Sequence, residues 1–391
     1  MKALKLMIVA GEASGDGHGA KLVRALRAAA PDVNFEFFGA AVKQLRSSGV
    51  DAVVEADALS IVGLLEIGLA LPVFLRAFRD LKKAAVERKA DAVILVDFPD
   101  FNLKLAKSLK KKGLKVFYYI SPQLWAWRKY RIRTIKKYVD LVIAILPFEK
   151  DWYQEHGVSH VEYVGNPLAM EVHANLSKED FCRKYDLEPN QQIVSLLPGS
   201  RHKEIIRILP VMLESAALIS AKLPQTQFVI ALASNQDQAA VHKAISKTNG
   251  RELIPPKFKI IENETYDALN ASDAAAVTSG TATLEAGIIG TPMAIVYKTS
   301  KINYALFEPL ISVEHYGLIN LIAGERVAKE LIQAEFTAES LASEILRLLE
   351  PEENALTRKR LKNASDKLGH GGASKRAAEA ILRVIEGRPS E

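Results

Sequence analysis

Residues 4–20 read LKLMIVAGEASGDGHGA. An apolar run of strand length, Leu4–Ala10, meets a glycine-dense stretch. Behind it lies a segment with Leu22, Val23 and Leu26 at helical spacing. A buried strand, a glycine turn and an amphipathic helix in succession predict a ligand-binding α/β unit. Glycine lets backbone N–H groups come close to a ligand, and the start of a helix favours anions. The run is neither a Walker loop nor a clean dinucleotide fingerprint. Glu12, Ser14 and Asp16 stand among its glycines, which points to chemistry as well as phosphate cradling. The plainer alternative is a tight strand–helix turn in which Asp16 caps a helix over Ala20–Ala29.

The same alternation continues outward. Strands are expected at Phe35–Phe38, Ala92–Val96, Val116–Ile120 and Leu141–Ile145. Helices are expected over Val73–Arg88, Leu103–Lys112 and Lys129–Tyr138. After Gly165-Asn166-Pro167 the pattern restarts with strands at Ile193–Leu197, Phe228–Leu232, Phe258–Ile261, Ala275–Val277 and Met293–Val296. Helices near Glu204–Leu218, Gln236–Ser246, Tyr266–Ala271 and Ala282–Ile289 separate them. Short β-branched runs between helix-length segments imply parallel, doubly wound sheets. The expectation is an α/β protein of two Rossmann-like domains facing across a cleft. Residues 1–165 and 166–340 form the domains, and helices in 341–391 pack back on them.

Composition narrows the function. Forty-nine per cent apolar residues support cores of that size. The single cysteine, Cys182, rules out an internal disulfide framework and fits a reducing compartment. No secretory leader pattern opens the sequence, so a cytoplasmic location is expected. The net charge of +6 is concentrated in two clusters, Lys104–Lys115 and Arg128–Lys137. These read as solvated helix faces or as patches that attract an anionic membrane. No nucleic-acid-binding signature accompanies them. The most apolar stretch, Leu59–Phe78, is interrupted by Glu66, Pro72 and Arg76. It predicts helices broken near Pro72 or a lipid-facing surface rather than a membrane span.

Four segments carry residues suited to chemistry, each at a strand end where such sheets bind ligands. Gly199, Ser200 and Arg201 follow a strand and suit an anion, with Arg201 able to fork onto phosphate. Ser279, Gly280, Thr281 and Ala282 open a helix and allow close approach to a diphosphate. Glu285, one turn on, suits a ribose diol; its plainer reading is a charge favouring the helix dipole. Asp97 ends the strand Ala92–Val96 beside Phe98 and Phe101. Apolar surroundings raise a carboxyl pKa and make it a better base. Asp100 suits a turn with Asn102 or a helix cap. Trp125 and Trp127 in SPQLWAWR (121–128) offer aromatic platforms for sugar or interfacial lipid, with core packing as the alternative. There is no Asp-x-Asp, no HExxH and no Cys/His cluster, so neither metal nor cofactor is expected.

Together, GEASGD (11–16), DFPDFN (97–102), SPQLWAWR (121–128), PFE (147–149), PGSR (198–201), SGTATLEA (279–286) and the region from Asn320 to Gln333 resemble the bacterial lipid-A-disaccharide synthase family. The resemblance runs through nearly the whole chain. It departs from the common pattern at Phe98, Gln123 and Leu124. It implies a GT-B glycosyltransferase of Gram-negative lipopolysaccharide biosynthesis. Such an enzyme joins UDP-2,3-diacylglucosamine to 2,3-diacylglucosamine 1-phosphate with inversion, giving a β-1,6 disaccharide 1-phosphate and UDP. The residue roles it implies start with Asp97 as base. Glu12, Ser14, Gly15, Asp16, Ser121 and Trp127 lie on the acceptor side. Gly199, Ser200, Arg201, Ser279, Gly280, Thr281, Ala282, Glu285 and Asn320 hold the UDP-sugar. Peripheral attachment to the inner membrane is implied as well. The alternative is another GT-B enzyme, a UDP-sugar epimerase or a different lipid-linked transferase.

Overall fold

A computed structural model describes residues 3–56, 67–232, 238–248, 258–300, 304 and 314–387. It divides into two compact units: residues 1–167 with 370–391, and residues 168–369. The expectation for the apolar stretch at residues 59–66 lies outside the described residues.

The first unit runs β1 (Leu4–Ala10), α1 (Ala13–Ala29), β2 (Phe35–Ala41), α2 (Lys43–Ser47), β3 (Asp51–Glu55), α3 (Ile67–Glu87) and β4 (Ala92–Val96). It continues with α4 (Pro99–Lys110), β5 (Lys115–Tyr119), α5 (Ile132–Tyr138), β6 (Leu141–Ala144), α6 (Glu149–Glu155) and β7 (Val161–Tyr163). Among the described residues, seven strands lie in the order β3-β2-β1-β4-β5-β6-β7, and the paired strands are parallel. Residues alternate between the two faces of each strand. Met7, Val9, Val93, Leu95 and Tyr118 pack beneath α3 and α4. Leu6, Ile8, Ile94, Val96, Phe117 and Tyr119 face the other way.

The second unit runs α7 (Leu168–Glu171), α8 (Lys178–Tyr185), β8 (Ile193–Leu197), α9 (His202–Lys222), β9 (Gln227–Leu232), α10 (Gln238–Thr248), β10 (Phe258–Glu262), α11 (Thr265–Ala271) and β11 (Ala274–Thr278). Then follow α12 (Thr281–Ile289), β12 (Met293–Tyr297), α13 (Leu318–Ala323), β13 (Lys329–Ile332), α14 (Ala338–Leu349) and α15 (Pro351–Asp366). Its strand order is β10-β9-β8-β11-β12-β13, again with parallel pairs. The last helix, α16 (Ala373–Ile385), returns to the first unit. There Ala373, Ala377 and Ile381 cover the face that carries Ile8 and Ile94.

Each sheet reverses direction beside its first strand, between β1 and β4 and between β8 and β11. At such a switch point the loops on the two sides lead away from each other, leaving a crevice at the carboxyl ends of the strands. The residues following β1, β4, β8 and β11 are therefore Gly11–Glu12, Asp97, Gly199–Arg201 and Ser279–Gly280.

Two elements differ from expectation. The glycines at 15, 17 and 19 are inside α1, which begins at Ala13 rather than Ala20. Two of them pack closely: a Cβ on Gly19 would stand 3.2 Å from Leu45, and one on Gly17 3.3 Å from the Gln44 side chain. The close fit of α2 offsets the cost of glycine in a helix. Pro72 does not break the apolar stretch, since α3 runs through it from Ile67 to Glu87.

Candidate functional site

In the first unit the candidate base, Asp97, stands immediately after β4. It and Phe98 both occupy the left-handed backbone region, at φ 48° and 50°. For non-glycine residues this conformation is held against strain and clusters at functional sites. The hydrogen bonds that hold it are all present. The Asp97 amide donates to the Tyr119 carbonyl at 3.1 Å. The Asp97 carbonyl accepts from the Tyr118 hydroxyl at 2.7 Å and from Asn102 Nδ2 at 2.8 Å. Asn102 Nδ2 also reaches the Val96 carbonyl at 3.2 Å. The Phe98 ring lies over Gly11, where a Cβ would come within 2.3 Å of it, so this glycine is required by close approach.

Burial pushes the Asp97 carboxyl up to about 6, and the negative charge of Glu12 adds to the shift. The hydrogen bond from the Phe98 amide opposes it. A carboxylate ionised at neutral pH yet far more basic than a free aspartate is suited to general-base work. The acid limb of the rate profile should then bend at about pH 6. Glu12→Gln should move that bend to lower pH, because a like charge is removed. A profile with an unmoved limb in this variant counts against the coupling.

The rest of the GEASGD segment divides. Glu12 and Ser14 are exposed at the start of α1. Gly15 sits in the helix, where a methyl would meet Ala10 and the Val96 carbonyl at ordinary contact distance of 3.7 Å. Asp16 is a correction to the acceptor-side reading. It is buried and accepts from the amides of Val42, Gln44 and Leu45 at 2.8, 2.7 and 3.3 Å. Its carboxylate is engaged in capping α2, a helix distant in sequence, and not its own helix, whose N-cap is Glu12. Ser121 is likewise spoken for. It is buried and donates to Glu149 Oε1 at 2.9 Å, beside the Trp125 indole at 3.1 Å. The other Glu149 oxygen accepts from the amides of Ile145 and Leu146. Burial raises the Glu149 pKa against these four hydrogen bonds. Trp125 is therefore core, whereas Trp127 is half-buried with the Arg128 guanidinium 4.1 Å from its ring centre. Asp100 does not pair with Asn102. It accepts from Arg128 at 2.8 Å and from Arg131.

A pocket of about 520 Å³ adjoins this centre. Leu71, Phe74, Leu75, Phe78, Phe98 and Phe101 form its apolar wall, with Glu12, Asp100, Lys104 and Arg128 among the lining residues. The phenylalanines pack on one another, with ring centres 5.7–6.1 Å apart.

In the second unit a pocket of about 350 Å³ gathers Gly199, Ser200, Arg201, Ser279, Gly280, Thr281, Ala282 and Glu285 from two strand ends. Gly199 has φ 103°, and a Cβ there would fall 2.6 Å from Glu204 Oε2. Glu204 faces back to the Arg201 amide at 3.4 Å and pairs with its guanidinium at 3.1 Å, while the Arg201 side chain stays largely exposed. Gly280, at φ 147°, leads directly into α12, so that the start of this helix lines the pocket, an arrangement that suits an anion. Ser279 Oγ donates to the Tyr316 carbonyl at 2.9 Å, which fixes the turn. Glu285 accepts from the Tyr266 hydroxyl at 3.3 Å, and burial raises its pKa.

Asn320 is not at this pocket's wall. Fully buried, it donates to the Ala328 carbonyl and Glu330 and accepts from the amides of Val327 and Ala328, within 2.7–3.0 Å. All its hydrogen-bonding capacity is spent, so it has none for a nucleotide. Glu330 in turn accepts from the amides of Tyr316 and Gly317. The pair supports the backbone to which Ser279 is tied, a supporting role that the resemblance did not distinguish from contact. Asn102, Tyr118, Glu149 and Tyr266 hydrogen-bond to candidate site residues, and the sequence does not single them out for that. Asn102 and Glu149 lie in quoted motifs, but their partners are not adjacent in sequence.

The family model described as lipid-A-disaccharide synthetase matches residues 6–384. A lipid-A-disaccharide synthase from Syntrophus aciditrophicus (strain SB) is 44% identical over 387 residues, spanning 99% of each chain. One from Trichlorobacter lovleyi is 43% identical over 383 residues, spanning 98% of each. A solved UDP-GlcNAc 2-epimerase from Neisseria meningitidis, bound to UDP-GlcNAc, superposes with a TM-score of 0.61 at 15% identity. That alignment covers 97% of this chain and all of the other, and it shows the fold alone. Both sheets thus have the α/β architecture expected of the GT-B class, and by sequence over nearly its full length the chain belongs to the lipid-A-disaccharide synthetase family.

Proposed function

We propose that the chain is an inverting glycosyltransferase that joins UDP-2,3-diacylglucosamine to 2,3-diacylglucosamine 1-phosphate. The observation that carries the reading is the pairing of a raised, strained carboxylate after β4 with a glycine-turn anion pocket after β8 and β11, in a chain of this family. Asp97 takes the proton from the acceptor 6-hydroxyl as that oxygen bonds to the donor anomeric carbon. The anomeric C–O bond breaks, and UDP leaves with the electron pair. Gly199, Ser200, Arg201 and the amides opening α12 hold the diphosphate as its charge grows. Glu285, oriented by Tyr266, accepts from the ribose hydroxyls. Glu12, Ser14 and Trp127 lie on the acceptor side.

Incubating the protein with both diacyl sugars should release UDP in step with a β-1,6 disaccharide 1-phosphate. An epimerised sugar nucleotide, or ligand binding without UDP release, overturns the reading. Arg201→Ala should weaken UDP binding by about tenfold, the worth of one charge-assisted contact. An unchanged dissociation constant by calorimetry would remove Arg201 from the diphosphate site.

The substrates are lipids, and among the described residues no helix is long and apolar enough to cross a membrane. We infer peripheral attachment through α3, where Leu71 and Leu75 are 54% and 61% exposed. Lys107 of α4 and Arg133, Lys136 and Lys137 of α5, all exposed, add attraction to anionic lipid. The paired change Leu71→Glu/Leu75→Glu should abolish flotation with anionic vesicles. Undiminished flotation would place the contact on another surface.

A further inference from the structure

We propose that Lys104 and Arg128 form the subsite that reads the acceptor's phosphate. The proposal rests on the glycosyltransferase reading above and deepens it. The pocket beside Asp97 combines two chemistries. Its wall is made of leucine and phenylalanine, which suits hydrocarbon. Two cations also line it, although an acyl chain has no use for either. An amphiphile with an anionic head satisfies both.

The charges around this pocket are unevenly placed. Asp100 and Lys104 stand one turn apart on α4 and share a face. Asp100 is matched by Arg128 and Arg131, so together with Lys104 the group holds three positive charges against one negative. Lys104 is exposed and has no ion-pair partner among the described residues. Arg128 is fixed in place by Asp100 and by the Trp127 ring, which preorganises its remaining N–H groups. The acidic groups, Asp97 and Glu12, belong to the carboxylate centre. A ligand with a hydroxyl to be deprotonated and a phosphate to be held finds complementary charge for each. The donor's diphosphate has its own glycine-turn pocket in the second unit, and Lys104 and Arg128 therefore serve the monophosphate sugar.

The test compares acceptors with and without the 1-phosphate, in neutral detergent micelles so that no anionic surface contributes. The wild-type protein should favour the phosphorylated acceptor in kcat/KM by about tenfold or more. Lys104→Ala should collapse that preference toward unity, and Lys104→Arg should restore most of it. The KM for donor and the affinity for UDP should remain those of the wild type. An equal loss on both acceptors overturns the subsite. So does a loss seen only on anionic vesicles, which would make Lys104 a membrane-docking residue. Failure of the wild-type protein to form any disaccharide would instead sink the glycosyltransferase reading itself. Disaccharide formation without phosphate preference sinks the subsite alone.

Discussion

Asp97→Asn should lower kcat by at least about a hundredfold while leaving UDP affinity nearly unchanged, since a well-placed base contributes about 10²–10⁴ in rate. Asparagine keeps the size of the side chain and the backbone ties to Tyr118, Tyr119 and Asn102. What it loses is the capacity to accept a proton. The same substitution has a second expected readout. Asp97 titrates at about 6 rather than its ordinary 3.8. Its folded form therefore binds the proton more tightly than its unfolded form. Stability from this group is fully present below about pH 4 and lost as pH rises through about 6. The substituted amide does not titrate, so the variant should gain over the wild-type protein between pH 4 and 7. The gain should reach about 2 kcal/mol, at 1.36 kcal/mol per pKa unit with allowance for partial exposure. Urea unfolding at pH 4 and pH 7.5 measures it. Near-normal turnover would remove Asp97 as base, and a variant-minus-wild-type stability difference that is the same at both pH values would contradict its raised pKa.

The second large effect is expected at Asn102, which touches no reacting atom in the proposed mechanism. Asn102→Asp replaces an amide that donates to the Val96 and Asp97 carbonyls with a fully buried group that repels both when ionised. An uncompensated buried charge costs roughly 3–5 kcal/mol. The strained Asp97–Phe98 turn also loses one of its two side-chain ties. Turnover should fall by roughly tenfold or more, with UDP affinity unchanged in whatever fraction stays folded. Tyr118→Phe is the gentler companion, removing the other tie at a cost of about 1 kcal/mol. It should lower kcat without altering UDP binding. If Tyr118→Phe and Asn102→Ala were additive in kcat, the two side chains would not be acting on one carbonyl.

Much of the fold was legible because parallel strands buried on both faces must be apolar throughout. Leu4–Ala10, Ala92–Val96 and Ile193–Leu197 are bounded in the structure as the apolar runs are bounded in the sequence. The strand-end pocket of the second unit was legible for a related reason. Its glycines and hydroxyls directly follow such runs, so local pattern alone places them at strand ends. Polar residues whose partners lie far along the chain were not legible. Asp16 looks like a reactive carboxylate until Val42 and Leu45 are seen to donate to it. Ser121 depends on Glu149, and Asn320 on residues 327–330. Whether a polar side chain serves a ligand or a neighbouring helix is decided by which donors the fold brings to it. The helix start at Ala13 was missed because glycine argues against helix locally, while contact with α2 rewards it.

The return of α16 to the first unit has a consequence for how the chain is made. The sheet face bearing Ile8, Ile94 and Phe117 is covered by residues 373–381, which leave the ribosome after the whole of the second unit. During synthesis the second unit's residues, 168–369, are complete before the first unit's are. The first unit must therefore wait with an open apolar face while its successor folds. Deleting α16 alone would damage the first unit rather than the second, which precedes it in the chain. Its signature would be a chain that still binds UDP but aggregates through the unit holding Asp97.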